Sequence, residues 1–321
     1  MSTININRHT INLDLPPGQR WQFLKAYQGE MKELFSCYLK DFEGADYLLP
    51  AIDLYKAEVV SQEYLEEIES IALLTGFTPN ETLLANLYYD VLKAYLGCTA
   101  FAHEANGRMF HSRNLDWWTD HNILSKHSMI FDFQREGRTC FSAVGWPGFI
   151  GVLSGVKSGA FSLTLNAVLG TDSAELATPV TFLLRDVLDQ SGSFSMAKEV
   201  LENKTIASDC LLLLSGTSVE EMAVIERSPK RSAVRTSDAG HIAVTNDYKL
   251  LKNELDETNP LQSTSCARYD RAMERLKRQH PMDPDQCFSI LQDQEVMMGI
   301  TVQQMVFDTI KGDIYLKTTN T

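Results

Sequence analysis

The stretch Gly97-Cys98-Thr99-Ala100-Phe101, followed by His111-Ser112-Arg113-Asn114-Leu115-Asp116, is the most informative part of this sequence. It predicts a cysteine at the head of a strand, with an arginine and an aspartate on the next leg of the same hairpin. A thiol must lose its proton before it attacks a carbonyl, and a nearby guanidinium favours the thiolate. If the Gly97–Cys98 bond were cut, Cys98 would also carry a free α-amine, which can serve as the general base for its own thiol.

The other cysteines have no comparable arginine and aspartate companions. An isolated cysteine in a protein of this size is usually a small buried hydrophobic residue. Those in apolar or helical contexts, predicted to be reduced structural thiols, are Cys37, Cys140, Cys210, Cys266 and Cys287. Their spacing contains neither a CxxC pair nor the dense framework of small secreted proteins.

The length and charge of the chain limit its partners. Its 321 residues, with a mass of 36.1 kDa, fit one large domain or a domain with an appendage. The net charge of −13, from 29 basic and 42 acidic residues, argues against nucleic acid or an anionic membrane as a partner. The amino terminus has no apolar segment of the signal-peptide type, and no stretch approaches the roughly 18 uncharged residues of a membrane span. We therefore expect a cytoplasmic protein without a transmembrane segment.

The pattern of residues 1–97 predicts a mainly helical segment that opens with one short strand. The alternating strand covers residues 10–15 and is closed by two prolines. Apolar residues then recur at helical spacing over residues 21–35 and again near residues 64–74.

A third helix of this segment carries the clearest start signal. Thr78 is a suitable N-cap, Pro79 suits the first helical position and Glu81 completes a capping box. The apolar face continues as far as Tyr95, and Gly97 is a natural helix stop. The sequence therefore predicts that the helix ends immediately before Cys98.

Strands dominate the predicted structure of residues 98–321. Asn106-Gly107 and Glu136-Gly137 lie between apolar runs, and each pair predicts a tight β-hairpin. Strands grouped in hairpins, with helices between the groups, indicate an α+β layered architecture. The further predicted elements are strands at 161–166 and near 211, 222, 233 and 241, helices within 178–202, 268–278 and 284–292, and a final hairpin over 301–317.

Several separated segments form an ordered set of motifs. They are Thr10–Pro17 with Arg20-Trp21, Cys98-Thr99, Arg113–Asp116, Gly148–Gly151, Phe161–Asn166, Thr245-Asn246 and Arg268. In this order they resemble acid ceramidase and N-acylethanolamine acid amidase, which belong to the wider choloylglycine hydrolase superfamily. The resemblance spans nearly the whole chain, and the ordered set is more specific than any single piece.

This resemblance implies an N-terminal nucleophile hydrolase fold, an αββα sandwich with an N-terminal mainly helical segment. It also implies a precursor that cuts itself before the cysteine. The chain would then divide into an N-terminal segment, residues 1–97, and a catalytic region, residues 98–321. The cleaved N-terminal fragment would be a partner of the catalytic region.

Three of the matched residues would act at the nucleophile itself. By resemblance, Cys98 would be both the self-cleavage residue and the nucleophile of the mature enzyme. Asp116 would hold and orient the new α-amine, and Arg113 would lie against the thiol and favour the thiolate. Without the resemblance, Arg113 and Asp116 could equally be a surface ion pair.

The other matched residues would hold the substrate or the charge network. Asn166 and Asn246 would supply oxyanion or substrate-positioning contacts, which are valuable in amide hydrolysis because negative charge develops on the carbonyl oxygen. Arg268 would help to fix the charges of the site. The alternative for each asparagine is a turn residue at a strand end, and for Arg268 a solvated helix residue.

One position departs from the family pattern. Close relatives of the ceramidase type carry a glutamate at or near the residue that follows the matched asparagine, whereas this chain has Ala167. Glu175 or Asp172, in the following loop, are candidate substitutes. The departure affects the identity of a lipid substrate more than the hydrolytic chemistry.

Several other functions compete with this prediction. A papain-like Cys–His mechanism could use His103 or His111, which lie near Cys98 in the sequence. An acyltransferase would use the same thioester but pass the acyl group to an amine, and a bile-salt or penicillin-type acylase would use the same superfamily chemistry. A non-catalytic binding scaffold of the same fold is a remoter alternative. No metal or organic cofactor is expected, since the 7 histidines show no HExxH or paired-ligand spacing.

The preferred prediction is therefore a self-cleaving cysteine amidohydrolase that acts on a linear N-acyl amide similar to a ceramide or an N-acylethanolamine. The acyl side is expected to be apolar, because aromatic residues cluster near the predicted site. These residues are Trp117, Trp118, Trp146 and Phe149. Core packing is the alternative role for each of them.

Overall fold

Two β-sheets form the centre of the molecule. The computed structural model describes residues 6–44, 48–92, 96–119, 122–237, 239–251 and 263–319, with the backbone alone at 48–50. Its strands are β1 (Asn7–Asn12), β2 (Leu96–Ala105), β3 (Arg108–Trp117), β4 (Met129–Arg135), β5 (Arg138–Gly145), β6 (Ser154–Lys157), β7 (Phe161–Asn166), β8 (Cys210–Ser215), β9 (Met222–Arg227), β10 (Ser232–Thr236), β11 (His241–Val244), β12 (Thr301–Asp308) and β13 (Asp313–Thr318).

The helices of the described residues lie on the outer faces of the two sheets. Two short 3-10 helices cover Pro17–Gln19 and Gln22–Tyr27. The α-helices are α1 (Gln28–Lys40), α2 (Leu48–Glu58), α3 (Gln62–Thr75), α4 (Pro79–Asn86), α5 (Tyr88–Leu92), α6 (Ile123–Lys126), α7 (Val180–Gln190), α8 (Phe194–Asn203), α9 (Ser265–Gln279) and α10 (Pro284–Leu291).

The strand order gives one eight-stranded and one five-stranded sheet within the described residues. The larger sheet runs β1-β4-β5-β6-β7-β8-β9-β10, and the smaller one runs β11-β2-β3-β12-β13. Apolar residues from both sheets pack together between them, for example Ala100 and Ala102 of β2 with Leu211 and Leu213 of β8. Helices α9 and α10 cover the outer face of the smaller sheet, and α1, α3, α7 and α8 cover that of the larger sheet. The predicted αββα sandwich is confirmed.

Both predicted hairpin turns are present and have the backbone geometry that their sequences require. Asn106 and Gly107 have φ angles of 53° and 72°, and Glu136 and Gly137 have φ angles of 50° and 70°. Two successive positive φ angles define a type I′ turn, whose twist matches that of the flanking strands. The first of these turns joins β2 to β3 and so places Cys98 and Arg113 on neighbouring strands.

The helical prediction for the segment before Cys98 is partly wrong. The capping box of Thr78 and Glu81 is present, but helix α4 ends at Asn86 and the short α5 follows it. The prediction for Tyr95 lies outside the described residues. Gly97 is not a helix stop, because it lies in β2 and pairs with Asp116 across the ladder. Cys98 is thus the third residue of a strand that continues unbroken across the Gly97–Cys98 bond.

The amino-terminal segment differs in detail from its prediction. Its strand covers residues 7–12 instead of 10–15, and the helical pattern of residues 21–35 forms a 3-10 helix that continues into α1. Helix α2 was not predicted, since its apolar residues do not follow one helical stripe. The helix near residues 64–74 is confirmed as α3.

Residues on either side of position 97 share one hydrophobic core. Strand β1 joins the larger sheet as a parallel neighbour of β4, with Ile11 opposite Phe133. The Trp21 ring packs edge-on against the rings of Phe131 and Phe133, at centroid distances of 5.7 and 6.3 Å. The N-terminal segment is therefore an integral part of the sandwich in packing, and the functional division at residue 97 stays a prediction.

A buried ion pair joins this segment to residues 98–321. Glu67 of α3 is fully buried and receives two hydrogen bonds from Arg185 of α7, at 2.6 and 2.8 Å. Arg20 and Trp21 donate to the same carboxylate at 2.9 and 2.8 Å. Burial opposes the charge of Glu67, but Arg185, Trp21 and Arg20 outweigh it, and the pKa of this carboxyl is lowered.

Substitution of Glu67 by alanine should destabilise the protein strongly. The change leaves the Arg185 guanidinium buried without its partner, which typically costs about 3–5 kcal/mol. The measurement is chemical denaturation at pH 7 in a Cys98→Ala background, which keeps the chain in one piece if Cys98 is the self-cleavage residue. Glu69→Ala, at an exposed site on the same helix, is the matched control and should change the free energy of unfolding by less than about 0.5 kcal/mol. Equal effects of the two substitutions would contradict this account.

Candidate active site

Cys98 lies at the interface of the two sheets. In β2 it pairs with Leu115 of β3, and its side chain points toward the larger sheet, where its sulfur lies 3.8 Å from the carbonyl oxygen of Leu165. Only 1% of the residue is exposed to solvent. The sulfur is therefore held away from bulk water, and its environment consists of groups that the two sheets supply.

Arg113 bridges the two sheets beside this sulfur. Its Nη2 atom lies 3.0 Å from the Cys98 Sγ atom and also donates to the carbonyl of Leu165. Its Nη1 atom donates to the carbonyl of Leu153 at 2.7 Å and to the hydroxyl of Ser154. Because the guanidinium is planar and donates in fixed directions, these contacts fix its position.

Asn246 holds the backbone of Cys98. Its Oδ1 atom accepts from the Cys98 N–H at 3.0 Å and from Nη2 of Arg268 at 2.7 Å. Its Nδ2 atom donates to the carbonyl of Ala167 at 2.7 Å. Its own backbone N–H donates to the hydroxyl of Ser265, at the start of α9, at 2.9 Å. Asn246 is thus fixed from both sheets and from the helix layer.

Arg268 hydrogen-bonds to the backbone carbonyl of Cys98. From the first turns of α9, its Nη1 atom donates to the backbone carbonyl of Cys98 at 2.6 Å and to the hydroxyl of Thr99 at 2.9 Å. Burial lowers the pKa of this guanidinium, and the charges of Asp116 and Cys98 oppose that shift. The predicted alternative of a solvated helix residue is wrong, since Arg268 is only 3% exposed.

Asp116 is a buried carboxyl with one hydrogen bond to a side chain. It lies opposite Gly97 in the ladder, and its Oδ1 atom accepts from the hydroxyl of Thr301 at 2.5 Å. Among the described residues its Oδ2 atom has no hydrogen-bond partner. Burial raises the pKa of this carboxyl, while Arg268, Thr301 and Arg113 oppose the shift. The alternative of a surface Arg113–Asp116 pair is wrong, because both residues are buried.

Asn166 hydrogen-bonds to the segment just before Asn246. At the end of β7, its Nδ2 atom donates to the carbonyls of Val244 at 3.2 Å and Thr245 at 3.0 Å. Its Oδ1 atom is buried and has no partner within the described part of the chain. Asn166 therefore joins the two sheets just before Asn246, and its predicted oxyanion contact stays a prediction.

Neither candidate substitute for the family glutamate contacts the thiol within the described residues. Asp172 accepts hydrogen bonds from Ser228 and Arg231, and Glu175 pairs with Lys230 at 3.5 Å. At the departing position itself, Ala167 contributes its backbone carbonyl to Asn246. Within the described residues, the site is therefore contacted here by this main-chain oxygen and not by a carboxylate of the following loop.

The histidines of the papain-like alternative have other partners. The ring of His111 lies between the hydroxyls of Ser162 and Thr164, at 2.9 and 2.8 Å, and burial lowers its pKa to about 3. The Nε2 atom of His103 lies 2.8 Å from the carbonyl of Pro281, and burial lowers its pKa to about 4. Neither ring hydrogen-bonds to Cys98 in the described structure, so the geometry does not support a Cys–His pair.

The aromatic residues divide between core and surface. Trp117 and Trp146 are buried and pack edge-on against each other at 5.7 Å, which agrees with the alternative of core packing. Trp118 is 66% exposed, and the ring of Phe149 packs against Trp146. A groove of about 850 Å³ opens beside Arg268, between the first turns of α9 and residues 294–299.

Several groups of the site were not predicted from the sequence. The carbonyls of Leu153 and Leu165 belong to the main chain, so no residue type could identify them. Ser265 marks the start of α9, and Thr301 marks the start of β12 opposite Asp116. A buried threonine facing a predicted catalytic aspartate could have been found only from the pairing of these two strands.

The family model described as acyl-coenzyme A:6-aminopenicillanic acid acyl-transferase matches residues 103–314. The chain belongs to this family. The matched range includes Arg113, Asp116, Asn166, Asn246 and Arg268 and begins five positions after Cys98.

This chain is similar to curated proteins named acid ceramidase. The protein from Balaenoptera acutorostrata scammoni is 29% identical over 255 residues, which cover 70% of this chain and 64% of that protein. The protein from Heterocephalus glaber is 27% identical over 351 residues, covering 96% of this chain and 85% of that protein. The match thus spans less than two thirds of the first relative and most of the second.

Solved structures share the fold. A Caenorhabditis elegans N-acylethanolamine-hydrolyzing acid amidase ortholog aligns with a TM-score of 0.54 at 21% identity, covering 66% of this chain and 93% of that one. A mutant of the conjugated bile acid hydrolase from Clostridium perfringens aligns with a TM-score of 0.50 at 14% identity, covering 69% of this chain and 89% of that one. These likenesses show a shared fold, and the predicted N-terminal nucleophile hydrolase fold is confirmed.

The described residues contain no helix that combines the length and the apolar character needed to cross a membrane. Over the same ranges, no group of three or more histidine, cysteine, aspartate or glutamate residues has the arrangement of a metal site.

The buried charge of Asp116 should make stability depend on pH. Its pKa is raised by folding, so the stability that it contributes is complete at low pH and is lost as the pH rises through the folded pKa. In the Cys98→Ala background, Asp116→Asn should match the parent in free energy of unfolding near pH 4 and exceed it at pH 7. Urea denaturation across this range measures the difference.

Asp285→Asn is the matched control, because the side chain of Asp285 is 94% exposed. It should leave the pH dependence of stability unchanged. An Asp116→Asn chain that is less stable than its parent at pH 7 would show that the carboxylate is stabilised in the fold, contrary to this account.

Proposed function

We propose that this protein is a cysteine N-terminal nucleophile amidohydrolase that cuts its own chain before Cys98 and then cleaves linear N-acyl amides. One observation carries the proposal: three parts of Cys98 are each held by a different residue of the predicted set. Arg113 contacts the thiol, Asn246 the backbone nitrogen and Arg268 the backbone carbonyl. In a buried strand the main-chain groups of a cysteine usually pair with other main-chain groups, so side-chain partners on the sulfur, the nitrogen and the carbonyl distinguish Cys98.

The proposed self-cleavage has two steps. The Cys98 sulfur attacks the carbonyl carbon of Gly97, the peptide C–N bond breaks, and the departing Cys98 nitrogen takes up a proton. Water then hydrolyses the resulting thioester, which leaves a carboxylate on Gly97 and a thiol and an α-amine on Cys98. The contact of Asn246 with the Cys98 nitrogen supports this step, because it keeps that nitrogen in place before and after the bond breaks.

Hydrolysis of a substrate amide repeats the chemistry with an external carbonyl. The new α-amine takes the thiol proton, and the thiolate attacks the amide carbonyl. The Asn246 amide donates one hydrogen to Ala167, and its second can meet the developing oxyanion. The protonated amine gives its proton to the leaving amine, and water frees the acid from the thioester.

The proposed substrate is a ceramide- or N-acylethanolamine-like lipid amide. The relatives named acid ceramidase support this class, and the exposed ring of Trp118 after β3 supports an apolar acyl chain. The second candidate is an acyltransferase, which the description of the matching family favours. Water and an amine acceptor compete for the same thioester, so the two candidates differ in the acceptor that reaches Cys98.

The proposed partner of the catalytic region is its own N-terminal fragment. Strand β1 and the Glu67–Arg185 pair support continued association after the cut, since neither contact depends on the Gly97–Cys98 bond. A cytoplasmic location stays a prediction from the sequence.

Mature protein should contain two fragments, and Cys98 should be required for their formation. In proportion to its 97 of 321 residues, the N-terminal fragment should have a mass of about 11 kDa and the remainder about 25 kDa. Cys98→Ala should remain one band on a denaturing gel and show no hydrolysis. Cys266→Ala, which removes an exposed cysteine, is the control and should be cut normally. Cutting of the Cys98→Ala chain would disprove the mechanism.

A panel of acyl amides should identify the substrate class. Ceramides, N-acylethanolamines, acyl amino acids, bile-salt conjugates and penicillins are incubated with the cut enzyme, and products are measured by mass spectrometry. We expect release of free fatty acid from a ceramide or an N-acylethanolamine. In a parallel series with amine acceptors, acyl transfer that exceeds hydrolysis would instead support the acyltransferase, and turnover of bile-salt conjugates or penicillins alone would exclude the lipid-amide class.

A further inference from the structure

Among the described residues, the side chain of Thr301 hydrogen-bonds to the predicted catalytic aspartate, Asp116. It lies at the start of β12, opposite Asp116 of β3, and only 3% of it is exposed. Its hydroxyl oxygen is 2.5 Å from Oδ1 of Asp116 and 2.9 Å from the carbonyl oxygen of Met298. The backbone N–H of Met298 donates to the same hydroxyl oxygen at 3.2 Å.

The Thr301 hydroxyl has too few protons for both of its acceptors. A hydroxyl donates one hydrogen and accepts two. When Asp116 is ionised, Thr301 donates to the carboxylate and leaves the carbonyl of Met298 without this bond. When Asp116 is protonated, the carboxyl can donate to Thr301, and the Thr301 hydrogen is released to Met298. The charge of Asp116 therefore decides whether the Thr301 hydroxyl donates its hydrogen to Asp116 or to Met298.

The charged and titratable groups that face Asp116 come from three elements. Arg268 of α9 and Arg113 of β3 favour the ionised carboxylate, whereas burial disfavours it. Cys98 of β2 lies between these arginines, in contact with both. The second oxygen of Asp116 is buried without a hydrogen-bond partner among the described residues, so it is available for a new cation.

Met298 connects this chain to the groove beside Arg268. Residues 298 and 301 form a turn in which the backbone N–H of Thr301 also donates to the carbonyl of Met298, at 3.1 Å. Met297 and Met298 line the groove. A change in the hydrogen bonding of Met298 therefore acts on one wall of the groove.

We propose that Thr301 is a positioning residue, whose hydroxyl aims Asp116 at the amine of Cys98 and transfers its hydrogen bond to Met298 when Asp116 is protonated. This inference rests on the proposed function, because it assigns Thr301 to the aspartate that would orient the new α-amine. In the uncut chain, protonation of Asp116 allows the Thr301 hydroxyl to donate its hydrogen bond to the carbonyl of Met298. In the cut enzyme an α-ammonium next to the free Oδ2 atom favours the ionised form.

The test compares Thr301→Val with Thr301→Ser. Valine keeps the shape of threonine but removes the hydroxyl, and serine restores it. In the full-length Cys98→Ala chain, the ionisation of Asp116 is followed by carboxyl carbon NMR and assigned by its loss in Asp116→Asn. Thr301→Val should move the midpoint of this titration upward by about one pH unit, because a carboxylate loses a charge-assisted hydrogen bond. Thr301→Ser should return it to the parent value.

The same variants with Cys98 intact test the consequence for the reaction. Thr301→Val should shift the acidic limb of the kcat/KM profile upward by the same amount, with a larger loss in kcat than change in KM, and Thr301→Ser should restore it. Thr309→Val is the matched control: it removes a buried threonine hydroxyl that binds Ser162, at the other end of β12, and should leave both profiles unchanged.

The outcomes separate this inference from the proposed function. An unchanged titration of Asp116 in Thr301→Val would overturn the inference, as would a shifted titration with an unchanged activity profile. In both cases a protein that still requires Cys98 for cutting and hydrolysis would retain the proposed function. If the Cys98→Ala chain were cut normally, both would fail.

Discussion

The guanidinium of Arg113 crosses the space between the two sheets and holds the sulfur of Cys98 at their interface. A buried positive charge is tolerated there because its two terminal nitrogens donate to the carbonyls of Leu153 and Leu165 and to the hydroxyl of Ser154, while its Nε atom has no partner among the described residues. Cys98 and Arg113 belong to the smaller sheet, whereas Ser154 and Leu165, which accept hydrogen bonds from Arg113, belong to the larger one. The chemistry of the site thus depends on the alignment of the two sheets, and the packed apolar residues between them maintain that alignment.

Side chains hydrogen-bond to the main chain of Cys98 as well as to its sulfur. Asn246 and Arg268 hydrogen-bond to each other and to the nitrogen and carbonyl of this one residue. They are carried by the end of β11 and the start of α9, and Ser265 joins those two elements. Preorganised donors and acceptors of this kind are effective because they need no rearrangement during the reaction. The same contacts that would align the peptide bond for cutting would hold the resulting amine.

Local signals in the sequence were enough to predict much of this arrangement. The turn at Asn106-Gly107 requires two positive φ angles, and it fixes the pairing of β2 with β3 that brings Cys98 to Arg113. The capping box of Thr78 is equally local. Resemblance to a family then placed Asn246 and Arg268, which are distant in the chain, at the same site. The structure places both side chains in contact with Cys98, and their chemical roles stay predictions.

Other features depended on contacts that no local pattern encodes. Glycine often ends a helix, and the sequence around Gly97 therefore predicted a helix end there. In the structure, strand pairing with Asp116 overrides this local preference. Main-chain carbonyls around Arg113 have no residue signature, and the partner of Asp116, Thr301, is brought opposite it only by the register of β12. The burial of Trp117 and Trp146 likewise depends on which distant segments pack against them. An aromatic residue suits a core and a binding cleft equally well, so its type alone does not predict its role.

The shared core has a consequence for how the molecule would withstand unfolding. While the chain is whole, β1 and Trp21 are tethered to the strands on which they pack, and refolding involves one molecule. A cut molecule that unfolds releases its first 97 residues, which must then find the sandwich again by diffusion. Recovery would become dependent on concentration, and the durability of the mature protein would be set by how slowly it opens.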